Sequence, residues 1–182
     1  MLSTDKAWEI LNAADELCSA AVVLQAVDRL AQEITASLGS QYPLVLSVMG
    51  GAVVFTGQLL TRLHFPLDFD YIHASRYGDA LSGSDINWKV LPSAQVEKRT
   101  ILVLDDILDH GVTMAAIRTR VLAQGAAAFY CAVLADKQLP ETKPISADFI
   151  GLNVPNRFVF GFGMDVHGAW RNLPAIYAVK QD

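Results

Sequence analysis

Three aspartates lie within five positions of the sequence, directly after a run of aliphatic residues. Asp105 and Asp106 adjoin the aliphatic run 101–104, and Asp109 follows after two further aliphatic positions. Carboxylates this close repel one another unless a positive group is bound near them. A helix cap would account for only one of these polar positions, with Asp109 or Thr113 as the N-cap. The pattern therefore indicates a site for a polar ligand together with a cation.

The residues after the aspartates have the character of a phosphate-binding turn. Backbone N–H groups of residues 109–113 would point into a loop at the start of a helix, where the helix dipole favours an anion. Gly111 allows the backbone to approach a phosphate closely, and the Thr113 hydroxyl adds a donor. Asp105 and Asp106 would reach ribose hydroxyls, directly or through water bound to Mg²⁺, which prefers oxygen ligands. The stretch thus predicts a ribose 5-phosphate site.

Alternating strands and helices are predicted to position this stretch. Continuous aliphatic runs at 44–48 and 101–104 are typical of strands that are buried on both faces. Further strands are expected at 65–74, 86–91, 129–135 and 149–152, with helices at 53–63 and 114–124. Repeated strand–helix–strand order predicts an α/β fold with a central, mainly parallel sheet and helices on both faces. Such sheets bind ligands at the carboxyl ends of their strands, where the aspartates lie.

The first 38 residues are predicted to form two helices. A second helix is expected over 20–38, ending before Gly39. The first would begin at an N-cap, Ser3 or Thr4, and its apolar positions recur at helical spacing: Trp8, Leu11, Ala14 and Leu17. With no long linker or internal repeat, we expect a single domain over 1–182, with N-terminal helices (1–40), a core (about 41–150) and a C-terminal segment (about 151–182).

Composition narrows the classes of function. The 182 residues carry a net charge of −5 and no long basic run, so a broad nucleic-acid-binding surface is not expected. Hydrophobic residues make up 52% and charged residues 18%, which excludes a disordered chain. Cys18 and Cys131 lie far apart in apolar stretches and are expected to be buried, reduced thiols. With no membrane span and no secretory leader in the pattern, we expect a cytoplasmic protein without nucleic-acid or membrane partners.

Residues 105–113 resemble the phosphoribosyl pyrophosphate (PRPP) signature of type I phosphoribosyltransferases. In the hypoxanthine-guanine branch, this signature is two acidic residues, two aliphatic residues, an aspartate and a small turn that ends in threonine. The resemblance implies that PRPP and its 5′-phosphate bind to Asp105, Asp106, Asp109, His110, Gly111, Val112 and Thr113. His110 is expected to act mainly through its backbone.

Residues 48–51 resemble the pyrophosphate loop of the same family, which contains a cis peptide bond and usually a basic residue before two glycines. Met49 takes the place of the commonest residue, a lysine, ahead of Gly50 and Gly51. Arg171 matches an arginine of the family that reaches the pyrophosphate. The resemblance implies that these four residues bind pyrophosphate, and Met49 leaves the choice of base open.

The C-terminal segment resembles the family's base-binding hood. Phe158 would stack on a purine ring and Val159 would meet its edge, while Lys137 matches a lysine that donates to the 6-oxo group. Asp165 matches a second metal ligand near the base. The resemblance therefore implies Mg²⁺ as the cofactor, with Asp105, Asp106 and Asp165 as its ligands.

A loop or hairpin over 75–84 resembles the flexible loop that closes over the active site in this family, with Ser75, Arg76 and Tyr77 at its tip. Closure would exclude water from a reactive, cationic sugar.

The resemblance implies transfer of the 5-phosphoribosyl group from PRPP to N9 of a 6-oxopurine, with release of pyrophosphate. Asp109 is the expected catalytic residue, exchanging a proton with purine N7. The implied partners are these small-molecule substrates and further copies of the chain, in a homodimer or homotetramer. Two alternatives stay open: a non-catalytic regulator of the same fold that binds PRPP or nucleotide, and a transferase for another base such as xanthine.

Overall fold

The computed structural model describes residues 2–76, 86–92 and 94–180, and the side chains of Ser75 and Arg76 lie outside the description. Four helices are described: α1 (Thr4–Ala13), α2 (Ala20–Leu38), α3 (Val53–Leu60) and α4 (Val112–Ala123). The strands are β1 (Asp15–Cys18), β2 (Leu44–Val48), β3 (Asp68–Arg76), β4 (Ile86–Val90), β5 (Thr100–Leu108), β6 (Ala128–Lys137), β7 (Phe149–Val154), β8 (Val159–Phe160) and β9 (Ile176–Ala178).

A six-stranded sheet in the order β4-β3-β2-β5-β6-β7 forms the centre of the fold. All neighbours pair in parallel except β3 and β4, which pair antiparallel. The predicted α/β fold with a mainly parallel sheet is confirmed. Because the chain continues from β2 to β3 on one side and returns to β5 on the other, strand order reverses between β2 and β5. Open sheets of this kind bind ligands at such a switch point.

Side-chain alternation along the strands builds a hydrophobic layer on each face of the sheet. In β5, Leu102 and Leu104 pack beneath α2 and α3, whereas Ile101 and Val103 pack beneath α4, and all four are fully buried. This two-sided burial explains why the strand is a continuous aliphatic run rather than an alternating one. The helices on both faces hold the central strands in place, and with them the residues at the strand ends.

A second, three-stranded sheet in the order β1-β9-β8 lies outside the central one and joins the two ends of the chain. The prediction that the first 38 residues are wholly helical is wrong at this point. Helix α1 ends at Ala13, and residues 15–18 pair with β9 instead. The Arg157 side chain, 2.6 Å from Asp15 Oδ2, adds a further link between these distant segments.

Most other expected elements are present with shifted ends. Ser3 is the N-cap of α1, and its Oγ accepts a hydrogen bond from the Lys6 N–H at 3.2 Å. Helix α3 ends at Leu60, earlier than predicted, while β5 and β6 extend beyond the aliphatic runs that revealed them. None of the helices in the described ranges is long and apolar enough to cross a membrane.

The two cysteines are free thiols, but only one is in the core. Cys131 lies in β6 and is fully buried, and burial raises the pKa of its thiol to about 12. Cys18 is partly exposed, so the expectation that both are buried is wrong for Cys18.

Candidate active site

The two adjacent aspartates lie near the carboxyl end of β5, beside the switch point. The backbone N–H of Asp106 donates to Asp105 Oδ1 at 3.0 Å, and that of Ile107 donates to Asp106 Oδ1 at 2.8 Å. Burial raises the pKa of Asp105 well above its usual value, and the charge of Asp106 raises it further. Burial also raises the pKa of Asp106, although hydrogen bonds and the charge of Arg171 act in the opposite direction. A bound cation would relieve this unfavourable pair.

The turn after β5 leads directly into α4. Gly111 is the N-cap residue of α4 with φ of +77°, a conformation that favours glycine, and no side chain caps the helix there. The alternative in which Asp109 or Thr113 caps the helix is therefore wrong. The first N–H groups of α4 have no intrahelical partner, so they are available to an anion in the adjoining cavity.

That cavity, of about 300 Å³, lies between the ends of β2 and β5 and is called the phosphate cavity below. The described residues that line it include three carboxylates, of Asp105, Asp106 and Asp109, and one guanidinium, of Arg171. The predicted site residues in its wall are Met49, Gly51, Asp105, Asp106, Asp109, His110, Gly111, Val112, Thr113 and Arg171. The His110 ring faces Glu141, with Nδ1 3.7 Å from Oε1, which is in keeping with a role through its backbone.

The turn after β2 forms the opposite wall. The Met49–Gly50 peptide bond is cis, as the resemblance implied. A Cβ atom on Gly51 would lie 2.0 Å from Asp106 Oδ2, so only glycine allows this turn to pack against the carboxylate. The Met49 thioether accepts a hydrogen bond from Ser47 Oγ at 3.7 Å, so the side chain is directed by the buried Ser47 hydroxyl. Gly50 is not part of the cavity wall.

A smaller cavity of about 170 Å³ adjoins the first and is called the base cavity below. Asp106, Ile107 and Asp109 line both cavities, so the two adjoin along a shared wall. The base cavity contains the predicted purine residues Lys137, Phe158, Val159 and Asp165. It also contains Ile107 and Met164, which were not predicted; the aliphatic pair inside the acidic motif could have pointed to Ile107, whereas no local signal marks Met164.

Lys137 and Asp109 meet at the junction of the cavities. Lys137 Nζ lies 3.1 Å from Asp109 Oδ1, and the lysine side chain is only 12% exposed. The contact has the distance of an ion pair without hydrogen-bond geometry, so Asp109 Oδ1 is a buried acceptor with no hydrogen bond among the described residues. An acceptor and a donor are thus held side by side, each with capacity for a ligand.

Arg171 and Asp165 form an ion pair at the edge of both cavities. Arg171 Nη2 lies 2.5 Å from Asp165 Oδ1, and Nη1 donates to the Gly163 carbonyl oxygen at 2.6 Å. Asp165 Oδ2 accepts a hydrogen bond from the Gly168 N–H at 2.6 Å. Both carboxylate oxygens of Asp165 are therefore already engaged. This ion pair was not predicted, because it depends on the fold of residues 165–171.

Magnesium fits one part of this arrangement better than the other. No group of three or more His, Cys, Asp or Glu side chains in the described part of the chain is arranged to hold a metal ion. Asp105 and Asp106 offer adjacent oxygen donors with raised pKa values, and Mg²⁺ commonly takes one or two carboxylates and completes its shell with substrate oxygens and water. Asp165 would have to share oxygens that Arg171 and the Gly168 N–H already engage.

The described structure includes only part of the predicted flexible loop. Ser75 and Arg76 belong to the backbone of β3, where they pair with Asn87 and Ile86 of β4, so the strand extends further than predicted. Tyr77 lies outside the described residues.

A larger cavity of about 620 Å³ lies on the other side of the turn at Gly111, under residues 142–150. Its partly buried lysine, Lys143, already contacts Asp136 Oδ1 at 2.5 Å and donates to the Leu108 carbonyl oxygen at 2.6 Å. Size alone therefore does not mark the reactive site, and the convergence of charged groups at the two smaller cavities does.

Comparison with known proteins gives the same family as the motifs. The model of the phosphoribosyl transferase domain matches residues 13–167. The hypoxanthine-guanine-xanthine phosphoribosyltransferase of Tritrichomonas foetus is 32% identical over 156 residues, covering 85% of each chain. The solved structure of a hypoxanthine-guanine-xanthine phosphoribosyltransferase superposes with a TM-score of 0.84 at 29% identity, covering 93% of this chain and 99% of that one.

Part of a longer relative is similar as well. The bifunctional protein TilS/HprT of Listeria innocua serovar 6a is 33% identical over 157 residues, which is 86% of this chain and 24% of the relative. The chain thus spans about a quarter of the length of that protein. On the fold, the acidic motif and these similarities together, the chain belongs to the phosphoribosyltransferase family.

Proposed function

We propose that this protein transfers the 5-phosphoribosyl group of PRPP to N9 of hypoxanthine or guanine in purine salvage, releasing pyrophosphate. The observation that carries the proposal is that the two cavities adjoin and share Asp106 and Asp109 in their walls. One cavity suits a sugar phosphate and the other suits a flat base. A reaction that joins a base to a sugar phosphate needs both, next to each other.

PRPP would bind in the phosphate cavity. The N–H groups at the start of α4 and the Thr113 hydroxyl would hold the 5′-phosphate, and Val112 and His110 would contribute their backbones. Asp105 and Asp106 would hold the ribose hydroxyls together with Mg²⁺. When bound there, Mg²⁺ would neutralise charge on pyrophosphate and so make it a better leaving group.

The pyrophosphate end would lie against the β2 turn and Arg171. The backbone amide of Gly51 would donate to its oxygens, and the guanidinium would engage two oxygens at once. Met49 supplies no charge. Among the described residues that line the phosphate cavity, only Arg171 has a cationic lysine or arginine side chain that could bind the pyrophosphate. We therefore assign much of the pyrophosphate affinity to Arg171.

The base would bind with its ring against Phe158 and its edge at Val159. Phe158 is 55% exposed in the described structure, so an aromatic ring is available for stacking. Lys137 would donate to the 6-oxo group of the base. Adenine has an amino group at that position, which would leave two donors facing each other, so a 6-oxopurine is favoured.

The chemical step would break the bond from C1 of the ribose to pyrophosphate and form a bond from C1 to N9. The proton at N7 of the purine ring would pass to the carboxylate of Asp109, whose Oδ1 is buried and has no hydrogen bond among the described residues. Closure of the predicted flexible loop, which would follow the end of β3 at Arg76 and include Tyr77, would keep water from the cation-like sugar. Arg171 would stabilise the charge that develops on the leaving pyrophosphate.

Three further assignments accompany this function. We propose that residues 1–182 act as one domain, that the protein works in the cytoplasm, and that it assembles as a homodimer or homotetramer. Light scattering coupled to gel filtration would report the assembly directly, and a monomer at micromolar concentration would contradict it.

The proposal is tested by a panel of bases. The protein is incubated with PRPP, Mg²⁺ and hypoxanthine, guanine, xanthine or adenine, and pyrophosphate release is measured. We expect turnover with hypoxanthine or guanine and none above background with adenine. Xanthine belongs in the panel because the Tritrichomonas foetus relative is named for all three 6-oxopurines. PRPP binding without turnover on any base would favour the regulator instead.

A further inference from the structure

Residues 161–171 turn twice within a short stretch, and three bulky side chains take part. Isolated bridges join Gly161 to Met164 and Val166 to Ala169. Backbone φ is positive at Phe162, His167 and Trp170, with values of 48°, 51° and 71°. This left-handed conformation is unfavourable for residues with a Cβ atom, so the surroundings must hold it in place. The segment 165–171, called the hood hairpin below, contains both Asp165 and Arg171.

Helix α1 supplies contacts that hold Trp170. The indole Nε1–H donates to the Ala7 carbonyl oxygen at 2.9 Å. The Trp170 ring also packs edge-to-face against Trp8, with ring centroids 4.9 Å apart. Helix α1 contributes no buried residue, and Trp8 is 51% exposed. The contact is therefore poorly explained by core packing of the helix.

Trp170 is adjacent in sequence to Arg171, whose own contacts are short and specific. Gly163 and Arg171 exchange two hydrogen bonds: the Gly163 N–H donates to the Arg171 carbonyl oxygen at 2.8 Å, and Arg171 Nη1 donates to the Gly163 carbonyl oxygen at 2.6 Å. Gly163 in turn packs so closely on the pyrophosphate loop that a Cβ atom would lie 2.0 Å from the Gly51 carbonyl oxygen. A change in the backbone at Trp170 would therefore move both Arg171 and the turn at Gly51, which lie on opposite sides of the pyrophosphate site.

We propose that Trp170, held by Ala7 and Trp8 of α1, is a positioning residue that orients Arg171 toward the pyrophosphate of PRPP. Helix α1 then becomes part of the active-site architecture. This inference rests on the proposed function, because it names what Arg171 is oriented for. It assigns a role to two aromatic residues that lie outside the walls of both cavities.

The test is Trp170→Phe, which keeps an aromatic ring and removes the N–H donor. The dissociation constant of magnesium pyrophosphate is measured by calorimetry, and kcat with the KM values of PRPP and hypoxanthine by steady-state assay. Loss of one such hydrogen bond should weaken pyrophosphate binding and raise the KM of PRPP about five-fold. The KM of hypoxanthine should change less, because Lys137 lies outside the hood hairpin and the His167 ring, which stacks on Phe158 with centroids 6.4 Å apart, makes neither of the Trp170 contacts.

A second pair of variants approaches the same contact from α1. Trp8→Ala removes the edge-to-face partner and should shift the same two constants in the same direction. Trp8→Phe retains an aromatic edge and should restore them. Because Trp8 is half exposed, these variants remain informative if Trp170→Phe fails to fold.

Tyr42→Phe is the matched control. Tyr42 also has positive φ, 48°, and its hydroxyl donates to Asp68 Oδ1 at 3.2 Å, at the opposite end of the sheet from the site. Tyr42→Phe should leave the dissociation constant of magnesium pyrophosphate, kcat and both KM values unchanged. Unchanged pyrophosphate binding in Trp170→Phe and Trp8→Ala, or an equal change in every constant with a lower Tm, would overturn the positioning role. Failure of the unmodified protein to bind PRPP or pyrophosphate would instead overturn the proposed function itself.

Discussion

Asp109 and Lys137 lie where the phosphate cavity and the base cavity meet. Their side chains are 3.1 Å apart, and Asp109 Oδ1 is buried without a hydrogen bond in the described structure. A carboxylate with an open acceptor beside a bound purine can receive a proton from it, and an ammonium group beside it can donate to an oxo group. We therefore expect the two residues to have separable effects.

Asp109→Ala should remove the proton acceptor and leave the PRPP contacts of the loop backbone in place. The expected result is a fall in kcat of roughly 10²- to 10⁴-fold with little change in the dissociation constant of PRPP. Steady-state kinetics and calorimetry would measure the two quantities. Asp109→Asn preserves the shape of the side chain and should be similarly slow. Equal losses of turnover and PRPP affinity would contradict the assignment.

Lys137→Met should affect the choice of base. Removal of the donor leaves the 6-oxo group unsatisfied, so kcat/KM for hypoxanthine should fall by about 5- to 150-fold, equivalent to about 1–3 kcal/mol. The value for adenine should not fall, so the preference for hypoxanthine over adenine narrows. Competition between the two bases in one reaction measures this ratio. A ratio that stays the same in Lys137→Met would mean that the selecting donor lies elsewhere.

At the scale of elements, the strand–turn–helix unit from β5 to α4 could be predicted because its signals are local. Two-sided burial makes β5 a continuous aliphatic run, and Gly111 supplies the positive φ at which α4 begins. Strand β1 could not be predicted in this way. Its four residues form a strand only by pairing with β9, more than 150 positions away, and the apolar spacing in the sequence continued that of α1.

The same distinction holds within the site. The acidic motif, the glycine pair and Lys137 each stand at the end of a strand, so their convergence follows from the parallel sheet. The ion pair of Asp165 with Arg171 and the contact of Trp170 with α1 depend on turns with positive φ at non-glycine residues. The residue types at these positions do not indicate a positive φ, so these contacts could not be predicted from the sequence.

The turn between β2 and α3 gives a prediction at this scale, because Gly51 in the turn and Gly57 in the helix that follows have opposite surroundings. A Cβ atom on Gly51 would lie 2.0 Å from Asp106 Oδ2, whereas one on the exposed Gly57 of α3 would meet nothing within 4 Å. Gly51→Ala should therefore displace the Asp106 carboxylate, lower the Tm and weaken PRPP binding. Gly57→Ala should raise stability by about 0.5–1 kcal/mol and leave binding unchanged. Differential scanning fluorimetry with and without PRPP and Mg²⁺ measures both, and similar behaviour of the two variants would contradict the packing described for the turn.

At the scale of the whole molecule, the buried acidic pair lowers the free energy of unfolding whenever its carboxyl groups are ionised and no cation is bound. Burial raises the pKa of both Asp105 and Asp106. Between the ordinary pKa of an aspartate, about 4, and the raised value in the folded state, the folded protein holds more protons than the unfolded one. The free energy of unfolding of the ligand-free protein should therefore fall as the pH rises through this window.

Asp105→Asn should remove much of this dependence. In buffer without divalent cations, the variant should have a higher Tm than the original protein at pH 7–8 and a smaller advantage at pH 5, while PRPP binding is lost. Asp5→Asn, at an exposed carboxyl group in the first turn of α1, is the control and should show no such gain at neutral pH. A Tm that rises with pH in the ligand-free protein, or an Asp105→Asn variant that is less stable at pH 7–8, would contradict the account of the acidic pair.

The central claim is that the two adjoining cavities bring a base to the ribose of PRPP. The most direct measurement is chromatography with mass detection of a reaction containing the protein, PRPP, Mg²⁺ and hypoxanthine. We predict a new product with the mass of hypoxanthine ribonucleoside 5′-monophosphate, formed together with an equal amount of pyrophosphate and absent from the Asp109→Ala reaction on the same time scale. Complete recovery of unreacted hypoxanthine, and likewise of guanine and xanthine, from a protein that binds PRPP would contradict it.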